Sequence, residues 1–450
     1  MKKLVLLFFC TTIFYNTPFS QKLFPKQALL NDIDSLYVMV NDIHPDMFAN
    51  ISRVNFEKEL GMVKQQVRDS MSRLDFYSVV APLLEKIGDG HTGLNFPRDE
   101  LQNSAVKLFP FSVRIRFQDS VAIIKNDHSS INCGIPSGAE IASINGQNIA
   151  SLVGKMFCFL SGERLFFKAA YLEYYFTPLL FSLTHDSIFS VKYIYNKKAF
   201  VKTVHGIPYS QRFTEQSGTD EKLTDYSLSL DSSKMIACIH FDNFSNPQVF
   251  KKFIDSAFSV IEAKKIRDII IDIRQNGGGN SGIGDEFFQY ISPVPYKQYG
   301  KVIVKISPRL IRLFGGSMDE MKDSIGLKTY DKDTLIGLRP NKLRYNGRLY
   351  LLTSHFTFSS AADFAWTFQY LKMGIIIGEE TGGLVVCFGD KIWQTLPNTK
   401  IGLDVSYKKF YGYGARDDDT HGVIPDYSVS SAKAMDLAVD LILKERGSVH

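Results

Sequence analysis

Residues 349–384 carry the pattern that most restricts the fold, because they predict a strand, a helix and a second strand in succession. Residues 349–353 form a short apolar run that is typical of a buried strand. Residues 361–373 repeat apolar side chains at helical spacing, and glycines bracket a second apolar run at 374–378. Strands joined in this way lie parallel, and the loop after the first strand reaches the carboxyl edge of the sheet. Because ligands bind at that edge, we predict a site around Ser360, at the turn into the helix.

Ser360 lies where a nucleophile would stand in such a fold. The start of the following helix offers backbone N–H groups and a partial positive charge that suit an oxyanion, and the N–H of Ala361 is the nearest donor. The alternative is that Ser359 or Ser360 only caps the helix, as serines before helices commonly do. The choice between these interpretations depends on the other motifs of the chain.

The composition is that of a globular protein with several domains. The chain has 450 residues, of which 45% are hydrophobic and 22% are charged, and its formal net charge is +5. This length suffices for about two to four domains with a large core. The mild positive charge, without a run of Lys and Arg or a nucleic-acid motif, gives no support to a nucleic-acid partner.

The first segment, residues 1–20, has the pattern of a secretory signal peptide. Two lysines precede an apolar run from Leu4 to Phe14, which is too short to cross a bilayer comfortably. We expect an exported chain, in the periplasm or outside the cell, with no stable membrane span after signal cleavage. The alternative is an uncleaved anchor, because Pro18 makes the cleavage site imperfect.

Four cysteines follow the signal, and their spacing predicts no metal site. They are far apart and form no C-x-x-C pair, which argues against zinc. In an exported chain they can pair as disulfides or remain small buried thiols, and the sequence leaves both alternatives open. No motif indicates a cofactor. The four residues are Cys133, Cys158, Cys238 and Cys387.

Residues 21–98 are predicted to form a small helical domain that ends in a turn containing His91. Three runs of apolar residues recur at helical spacing, and the turn at 88–93 reads Gly-Asp-Gly-His-Thr-Gly. An isolated histidine is usually a surface or core residue. Three glycines in six residues, however, let the backbone pack this side chain closely against a neighbouring group. His91 is therefore a candidate functional residue.

Residues 106–205 are predicted to be rich in β-strands. Within them, residues 134–147 read Gly-Ile-Pro-Ser-Gly-Ala-Glu-Ile-Ala-Ser-Ile-Asn-Gly-Gln. This order of a Pro-Ser-Gly turn, an Ile-rich strand and an Asn-Gly hairpin resembles a PDZ domain. The resemblance implies a domain that binds extended peptides by strand addition and holds a free carboxyl terminus on backbone N–H groups. The alternative is an ordinary hairpin, for which Asn-Gly is the strongest general signal.

Residues 226–450 are predicted to form the α/β core. A strand at 235–241, a helix from 247 and a β-branched run at 268–273 precede the segment Arg-Gln-Asn-Gly-Gly-Gly-Asn-Ser at 274–281. Glycine-rich turns after buried strands bind anions on backbone amides, so a nucleotide loop is one interpretation. The segment lacks the Lys-Ser/Thr of a P-loop and the spacing of a dinucleotide fingerprint. An oxyanion hole uses the same backbone device and fits the serine better.

Three motifs together resemble those of the C-terminal processing (tail-specific) serine peptidase family, including its tricorn-like branch. They are the turn at 88–93, the segment 272–279, and the segment 357–363 followed by Gly-Glu-Glu-Thr-Gly-Gly at 378–383. The resemblance covers nearly the whole exported chain. It implies an α/β, multi-domain fold with a helical N-terminal domain, a PDZ-like β-rich domain and a crotonase-like protease core with ββα units. It also implies polypeptide substrates that are recognised by a free carboxyl terminus.

The resemblance assigns the nucleophile and the base. The family nucleophile is the serine of a Ser-Ala-x-acid motif, which matches Ser360 and leaves Ser359 one position too early. Many members place a general-base lysine directly after the Gly-Glu-x-Thr-x-Gly motif, where this chain has Leu384. The tricorn-like branch instead uses a histidine from an early turn, and His91 matches it. A histidine titrates near neutral pH and is able to take the seryl proton and return it to the leaving amine.

The same resemblance suggests an acidic partner and two oxyanion donors. The tricorn-like branch has an acidic residue shortly before a Gly-Val-x-Pro-Asp stretch, which is 422–426 here. By spacing this predicts Asp419, with Asp418 as the next choice, and the alternative is a solvated acidic turn. For the oxyanion, the family pattern predicts the backbone N–H groups of Gly278 and Ala361.

The resulting hypothesis is an exported serine endopeptidase that cleaves unfolded or C-terminally accessible protein tails through Ser360 and His91. The segment 293–338, which has a mixed pattern, is interpreted as a cap over the cleft. Two alternatives remain. One is a peptide-binding protein that keeps the PDZ-like domain without turnover, which the missing lysine motivates. The other is an acyl hydrolase on the same core.

Overall fold

A computed structural model of the chain describes residues 22–103, 105–130, 132–213, 225–315, 323–331 and 334–447. The predicted signal peptide lies outside these ranges. Within them, eleven α-helices and four sheets form a mixed α/β, multi-domain fold, which confirms the predicted fold class. No helix of the described ranges combines the length and the apolar character that crossing a membrane requires.

The N-terminal part is helical, as the periodicity predicts. Its helices bury apolar faces completely, for example at Leu29 and Ile33. The third helix starts with a capping box, in which the Ser72 and Asp75 side chains each accept a hydrogen bond from the other residue's backbone N–H. The elements are β1 (Phe24–Pro25), α1 (Lys26–Ile43), α2 (Arg53–Gln65), β2 (Ser70–Met71), α3 (Arg73–Glu85) and β3 (Gly93–Leu94).

The next part is an antiparallel sheet with one short helix, α4, and one long helix, α5, against it. Its strand order is β4-β5-β6-β8-β9, and β7 pairs with β6 through a turn in which Asn145 and Gly146 both have positive φ. This is the hairpin that Asn-Gly predicts. Whether this part is a PDZ domain stays a prediction. The elements are η1 (Arg98–Gln102), β4 (Phe111–Arg116), β5 (Val121–Asp127), β6 (Glu140–Ile144), β7 (Gln147–Asn148), α4 (Ile149–Phe157), α5 (Leu165–Thr184), β8 (Ile188–Tyr195), β9 (Lys198–His205) and α6 (Tyr209–Arg212).

The core sheet has the order β10-β11-β12-β15-β16-β19, and every neighbouring pair except β10 and β11 is parallel. Along β12, Ile269 and Ile271 pack on one face against α7, α8 and α10, while Ile270 packs on the other face against α11. Both faces are covered, which explains the continuous apolar run of this strand. The elements are β10 (Tyr226–Asp231), β11 (Ile236–Phe241), α7 (Pro247–Ala263), β12 (Asp268–Asp272), α8 (Gly282–Ile291), β15 (Arg348–Thr353), α10 (Ser360–Tyr370), β16 (Ile375–Gly378), β19 (Tyr427–Ser428) and α11 (Ser431–Gly447).

The predicted strand, helix and strand are confirmed as β15, α10 and β16, with Leu351 paired in parallel with Ile376. One detail differs. The helix begins at Ser360, one residue earlier than the apolar periodicity indicates, so its N-cap position is Ser359. Apolar spacing does not fix a helix boundary to one residue, because the first turn of a helix need not contribute to the buried face.

A second sheet lies beside the core sheet and has the order β14-β13-β18-β17, all antiparallel. The short strand β3 joins β18, which brings the glycine-rich turn of the N-terminal part to this sheet. The segment interpreted as a cap supplies β13, α9 and β14. The elements are β13 (Tyr299–Ile306), α9 (Pro308–Phe314), β14 (Gly326–Asp331), β17 (Val386–Thr395) and β18 (Gly402–Gly412).

A buried carboxylate ties the helical part to this second sheet. Asp32, on α1, is fully buried. Its side chain accepts hydrogen bonds from the backbone N–H groups of Asn398 and Thr399, and from both their side chains, at 2.6–2.8 Å. These two residues form the turn between β17 and β18. The contact therefore fixes the position of α1 relative to the sheet that receives the glycine-rich turn.

Replacing Asp32 with Ala is expected to cost about 3 kcal/mol of folding stability, because it leaves several buried donors without an acceptor. The apparent midpoint of thermal unfolding, followed by circular dichroism, should fall by several degrees. Asp34→Ala is the matched control, since Asp34 lies on the same helix and forms only an exposed ion pair with Lys64. Equal midpoints for both variants would contradict this role of Asp32.

Candidate active site

The site lies at the carboxyl edge of the core sheet, where the loops after β12 and β15 meet. The two strands are parallel neighbours, with Asp272 opposite Leu352, so their following loops leave the sheet side by side. Gly278, in the first loop, has φ +97° and packs directly on the second loop. A Cβ at this position would lie 2.7 Å from the Cβ of Ser359 and 2.8 Å from the carbonyl oxygen of Phe358. Only glycine allows this approach of the two backbones.

Ser359 is the serine that meets His91. Its Oγ lies 3.0 Å from Nε2 of His91, within hydrogen-bond distance. The residue has φ 52° and ψ −133°, a conformation that costs a non-glycine residue free energy and that recurs at functional sites. The turn aims the side chain away from the helix and toward the histidine. The ring of Phe358 stacks on the imidazole at 4.6 Å between centroids.

Ser360 is held in a different contact. Its Oγ donates a hydrogen bond of 2.7 Å to the carbonyl oxygen of Gly279, and the residue is buried. The predicted pairing of Ser360 with His91 is therefore corrected, because the structure brings Ser359 to the histidine instead. The physical reason is the helix start: successive residues there point in different directions, and only the residue before the first turn faces His91. Spacing from Asp363 selected the other serine.

His91 is placed beside a carboxylate of its own turn. Its Nδ1 lies 3.7 Å from Oδ1 of Asp89, an ion-pair distance rather than a hydrogen bond, and the same oxygen accepts the backbone N–H of His91 at 2.9 Å. Burial by itself lowers the pKa of the imidazole, but Asp89 outweighs burial, and with a smaller contribution from Glu163 the pKa of His91 is raised above its ordinary value.

Asp89 is fully buried and receives a complete set of donors. Its Oδ2 accepts hydrogen bonds from Oγ1 of Thr92 at 2.5 Å, from Oγ of Ser406 at 2.7 Å and from Nε2 of His44 at 3.2 Å. Burial raises the pKa of this carboxyl, but the two histidines outweigh burial and hold the pKa of Asp89 well below its usual range. Asp89 is therefore a carboxylate across the neutral range.

The orientation of His44 follows from its second ring nitrogen. Nδ1 accepts the backbone N–H of Asp46 at 3.1 Å, so the ring proton resides on Nε2 and is donated to Asp89. A chain of contacts thus runs from His44 through Asp89 and His91 to Ser359. Sequence analysis did not single out Asp89, although it stands two residues before His91 in the same turn. The sequence does not reveal that Asp89 is buried.

The predicted acidic residues do not meet His91. Asp419 accepts the backbone N–H of Arg416 at 2.7 Å and lies 3.7 Å from Nε2 of His421. Asp418 is exposed beside the same arginine. Both belong to the turn after β18. The carboxylate that faces His91 is Asp89, so the structure corrects the predicted position of the acidic partner.

The predicted oxyanion donors are already used within the protein. The N–H of Gly278 donates to Oδ1 of Asn276 at 2.9 Å, and the N–H of Ala361 donates to the carbonyl oxygen of Phe358 at 3.1 Å. This corrects both assignments. In the part of the chain that the structure describes, the next N–H along each loop, that of Gly279 and that of Ser360, has no hydrogen-bond partner.

Two cavities flank the pair of Ser359 and His91, and both residues line each of them. The first, about 450 Å³, lies against β13, β17 and β18, and we name it the sheet cavity. The second, about 410 Å³, lies against α5 and the turn at 88–93, and we name it the helix cavity. An extended chain that crosses the serine would place its residues in both. Neither Asp418 nor Asp419 lines either cavity.

The described residues include four cysteines, and none of them belongs to a metal-binding group. All four cysteines there are free thiols: Cys133 and Cys238 are buried, Cys158 is exposed and Cys387 lines the sheet cavity. The described residues contain no group of three or more His, Cys, Asp and Glu side chains arranged to hold a metal ion.

The contact with Asp89 predicts how the pKa of His91 responds to mutation. In Asp89→Asn the negative charge that favours the imidazolium is removed while burial remains, so the pKa of His91 should fall. The measurement is an NMR titration of the imidazole nitrogens. Asp419→Asn is the control and should leave the pKa of His91 unchanged. A fall in the control variant and none in Asp89→Asn would contradict the geometry.

The chain is similar to known proteins in its family profile and in its fold. Residues 235–429 match the profile of peptidase family S41. No curated protein matches the chain by sequence. Among solved structures, mature CPAF complexed with lactacystin is similar over 93% of this chain and 97% of that chain, at 12% identity and a TM-score of 0.65, a likeness of fold.

Two further structures are similar over much of the chain. The photosystem II D1 C-terminal processing protease has 13% identity over 90% of this chain and 93% of that chain, with a TM-score of 0.45. The tricorn protease has 15% identity over 93% of this chain but 37% of that chain, with a TM-score of 0.39. From the family profile, residues 235–429 are a domain of peptidase family S41, the C-terminal processing peptidase family, and the chain that carries them is a serine-type peptidase.

Proposed function

We propose that this peptidase cleaves peptide bonds with Ser359 as the nucleophile and His91 as the general base. The observation that carries the proposal is the 3.0 Å contact between Oγ of Ser359 and Nε2 of His91, at a strained turn between strand and helix. A nucleophile within hydrogen-bond reach of a base that is itself oriented by a third group is the arrangement that activates a serine.

The steps follow from the positions of these groups. Nε2 of His91 takes the hydroxyl proton while Oγ of Ser359 attacks the peptide carbonyl carbon, and the carbonyl oxygen becomes an oxyanion. The N–H groups of Ser360 and Gly279 are the donors available to it, and the N-terminus of α10 adds its partial positive charge. His91 then gives the proton to the leaving amine. Water, activated by the same histidine, hydrolyses the acyl-enzyme.

Asp89 orients His91 and favours its protonated form. At 3.7 Å from Nδ1 its carboxylate stabilises the imidazolium that forms when the serine attacks. The hydrogen bonds from Thr92, Ser406 and His44 prevent the carboxylate from turning away. We propose Asp89 as the acidic partner in place of the residues near the C-terminal end of β18.

A lysine base is not needed in this arrangement. Leu384, at the position where many relatives carry a lysine, is buried. Lys391, the nearest lysine after it in sequence, forms an ion pair of 2.9 Å with Asp404 and lines the helix cavity. The histidine occupies the place beside the serine that a lysine base would require.

The substrate class and the location complete the proposal. We propose unfolded or C-terminally accessible polypeptide tails as substrates, recognised by a free carboxyl terminus, and an exported enzyme in the periplasm or outside the cell. The support is the sequence of residues 134–147, which resembles a PDZ domain, and the signal-like pattern of residues 1–20. The two cavities on either side of Ser359 suit an extended substrate on both sides of the cut.

Replacement of each of the two adjacent serines by alanine, one at a time, tests which of them is the nucleophile. Ser359→Ala should lower kcat/KM by at least about 10³-fold, because it removes the attacking oxygen. Ser360→Ala keeps that oxygen and loses only the 2.7 Å hydrogen bond to Gly279, so its activity should remain within about tenfold. Cleavage of a pool of unfolded peptides, with free or amidated carboxyl termini, is followed by mass spectrometry.

If Ser360→Ala lost cleavage while Ser359→Ala kept it, the nucleophile would be Ser360. Binding of free-carboxylate peptides without cleavage by the wild-type chain would favour a peptide-binding protein. Hydrolysis of small acyl esters without peptide cleavage would favour an acyl hydrolase. Preference for peptides with free carboxyl termini would support recognition of the tail. Equal cleavage of free and amidated peptides would contradict recognition of the free carboxyl terminus.

A pair of aspartate variants tests the acidic partner. Asp89→Asn should lower kcat by about 10²-fold to 10⁴-fold, and Asp419→Asn should leave it within about threefold. Activity depends on neutral His91 and therefore rises with pH through the pKa of that residue. Because Asp89→Asn lowers this pKa, the rising limb of its residual activity should move to lower pH. A large loss in Asp419→Asn with an unchanged Asp89→Asn would contradict the assignment.

A further inference from the structure

The wall of the sheet cavity is built from alternate residues of one strand. Val302, Val304 and Ile306 of β13 all face the cavity, two residues apart, as the period of a strand requires. Aromatic rings from β18, which pairs with β13, and from β17, the next strand of the sheet, also line the cavity, together with one ring from α9 and one from β14. The rings are those of Phe388, Tyr407, Phe410, Phe314 and Tyr330.

Two of these rings are markedly exposed for aromatic side chains. Phe314, at the end of α9, is 38% exposed, and Tyr330, on β14, is 40% exposed, although both line the cavity. Phe314 packs at 5.4 Å between ring centroids on Tyr407. Both belong to the segment interpreted as a cap. Apolar surface of this kind, gathered around a cavity next to a nucleophile, is stabilised when a ligand covers it.

The charged side chains of the sheet cavity are paired with protein groups. Asp390 and Lys408 form an ion pair of 2.5 Å. Asp363 accepts the hydroxyl of Tyr299 at 2.8 Å. Burial raises the pKa of the Asp363 carboxyl to about 7, so near neutral pH it is protonated in a large fraction of molecules. A side chain that enters this cavity meets mainly apolar surface.

The position of the cavity relative to the reacting carbonyl follows from its lining. Ser360, whose N–H group is available to the carbonyl oxygen, lines the sheet cavity and not the helix cavity, whereas Gly279, the other donor, lines both. A carbonyl whose oxygen faces these donors brings the side chain of its own residue closest to the sheet cavity. The leaving amine then lies toward the helix cavity, next to Nε2 of His91.

We propose that the sheet cavity binds the side chain of the residue that supplies the scissile carbonyl, and that it selects large apolar side chains such as Phe, Leu and Met. This inference rests on the proposed function, because it assigns the substrate residue for the Ser359 reaction. A volume of about 450 Å³ lies within the range of ligand pockets and accommodates a large side chain.

The test uses peptides that differ only in the residue before the cut, with Phe, Leu, Ala, Asp or Lys at that position, and it locates each cut by mass spectrometry. Wild type should cleave after Phe or Leu with kcat/KM about tenfold or more above that for Ala, the range in which apolar pockets discriminate. Val304→Phe fills the cavity and should reduce cleavage after Phe by about tenfold or more while sparing cleavage after Ala.

Ile303→Phe is the matched control. Ile303 is the neighbouring residue of the same strand, points to the opposite face and does not line the cavity. Its preference should equal that of wild type. If Val304→Phe loses cleavage after every residue, its folding is compared with that of wild type by thermal unfolding. Its active serine is then tested by labelling with a fluorophosphonate, which reacts with an activated serine without occupying the cavity. Labelling at the wild-type rate with all cleavage lost counts against the proposal, because cleavage after Ala should survive.

Three further outcomes overturn the proposal. They are preference for Lys, which would assign recognition to Asp363, selection of an apolar residue after the cut instead of before it, and equal preference in wild type and Val304→Phe. Failure of the proposed function is separate, because it appears as absent fluorophosphonate labelling of Ser359 in the wild-type protein. A labelled, cleaving enzyme without the apolar preference leaves that function standing and removes only this inference.

Discussion

The buried carboxylate of Asp89 is the contact on which the geometry of the site depends. It joins three parts of the chain that are distant in sequence: His44 at the end of α1, the turn that contains Thr92, and Ser406 on β18. A fully buried charge is tolerated only when donors surround it, and removal of one donor leaves the charge incompletely satisfied. The network therefore holds the helical part on the second sheet, and the same carboxylate sets the position and the pKa of His91.

The pair of Ser359 and His91 is assembled from two sheets. Ser359 is placed by the core sheet, at the end of β15 and the start of α10, and His91 is placed by β3, which joins the second sheet. A third contribution comes from α5, whose Phe167 stacks on Phe358 at 4.3 Å, while Phe358 stacks on His91. The helix that packs on the β4–β9 sheet thus begins beside the pair of Ser359 and His91. A displacement of α5 would shift His91 through the contact of Phe167 with Phe358 and that of Phe358 with His91, without any change in the core sheet.

Sequence reasoning succeeded where a local pattern determines the answer. The apolar run of β12 and the helical spacing of α10 are consequences of burial on known faces, so the strand, helix and strand and the site at the sheet edge followed from them. The pairing of a serine with His91 was instead implied by the family resemblance. It failed at single-residue choices. Ser359 or Ser360, and Gly278 or Gly279, differ by one position in a turn whose φ angles no periodicity records. Asp419 was selected by spacing, whereas the relevance of Asp89 depends on donors from α1 and β18 that sequence distance conceals.

The strained conformation of Ser359 connects the fold to the chemistry. A non-glycine residue with φ 52° and ψ −133° costs about 1–3 kcal/mol and persists only where the surroundings impose it. Here Gly278 lies so close to Ser359 that a Cβ on it would be 2.7 Å from the Cβ of Ser359, and the next residue is fixed by the hydrogen bond from Ser360 to Gly279. The hydroxyl of Ser360 is thus a support for the turn that presents its neighbour. The two adjacent serines have different contacts, since Ser360 bonds to the glycine-rich loop and Ser359 faces His91. The stability of the buried sheets offsets the strain of this turn.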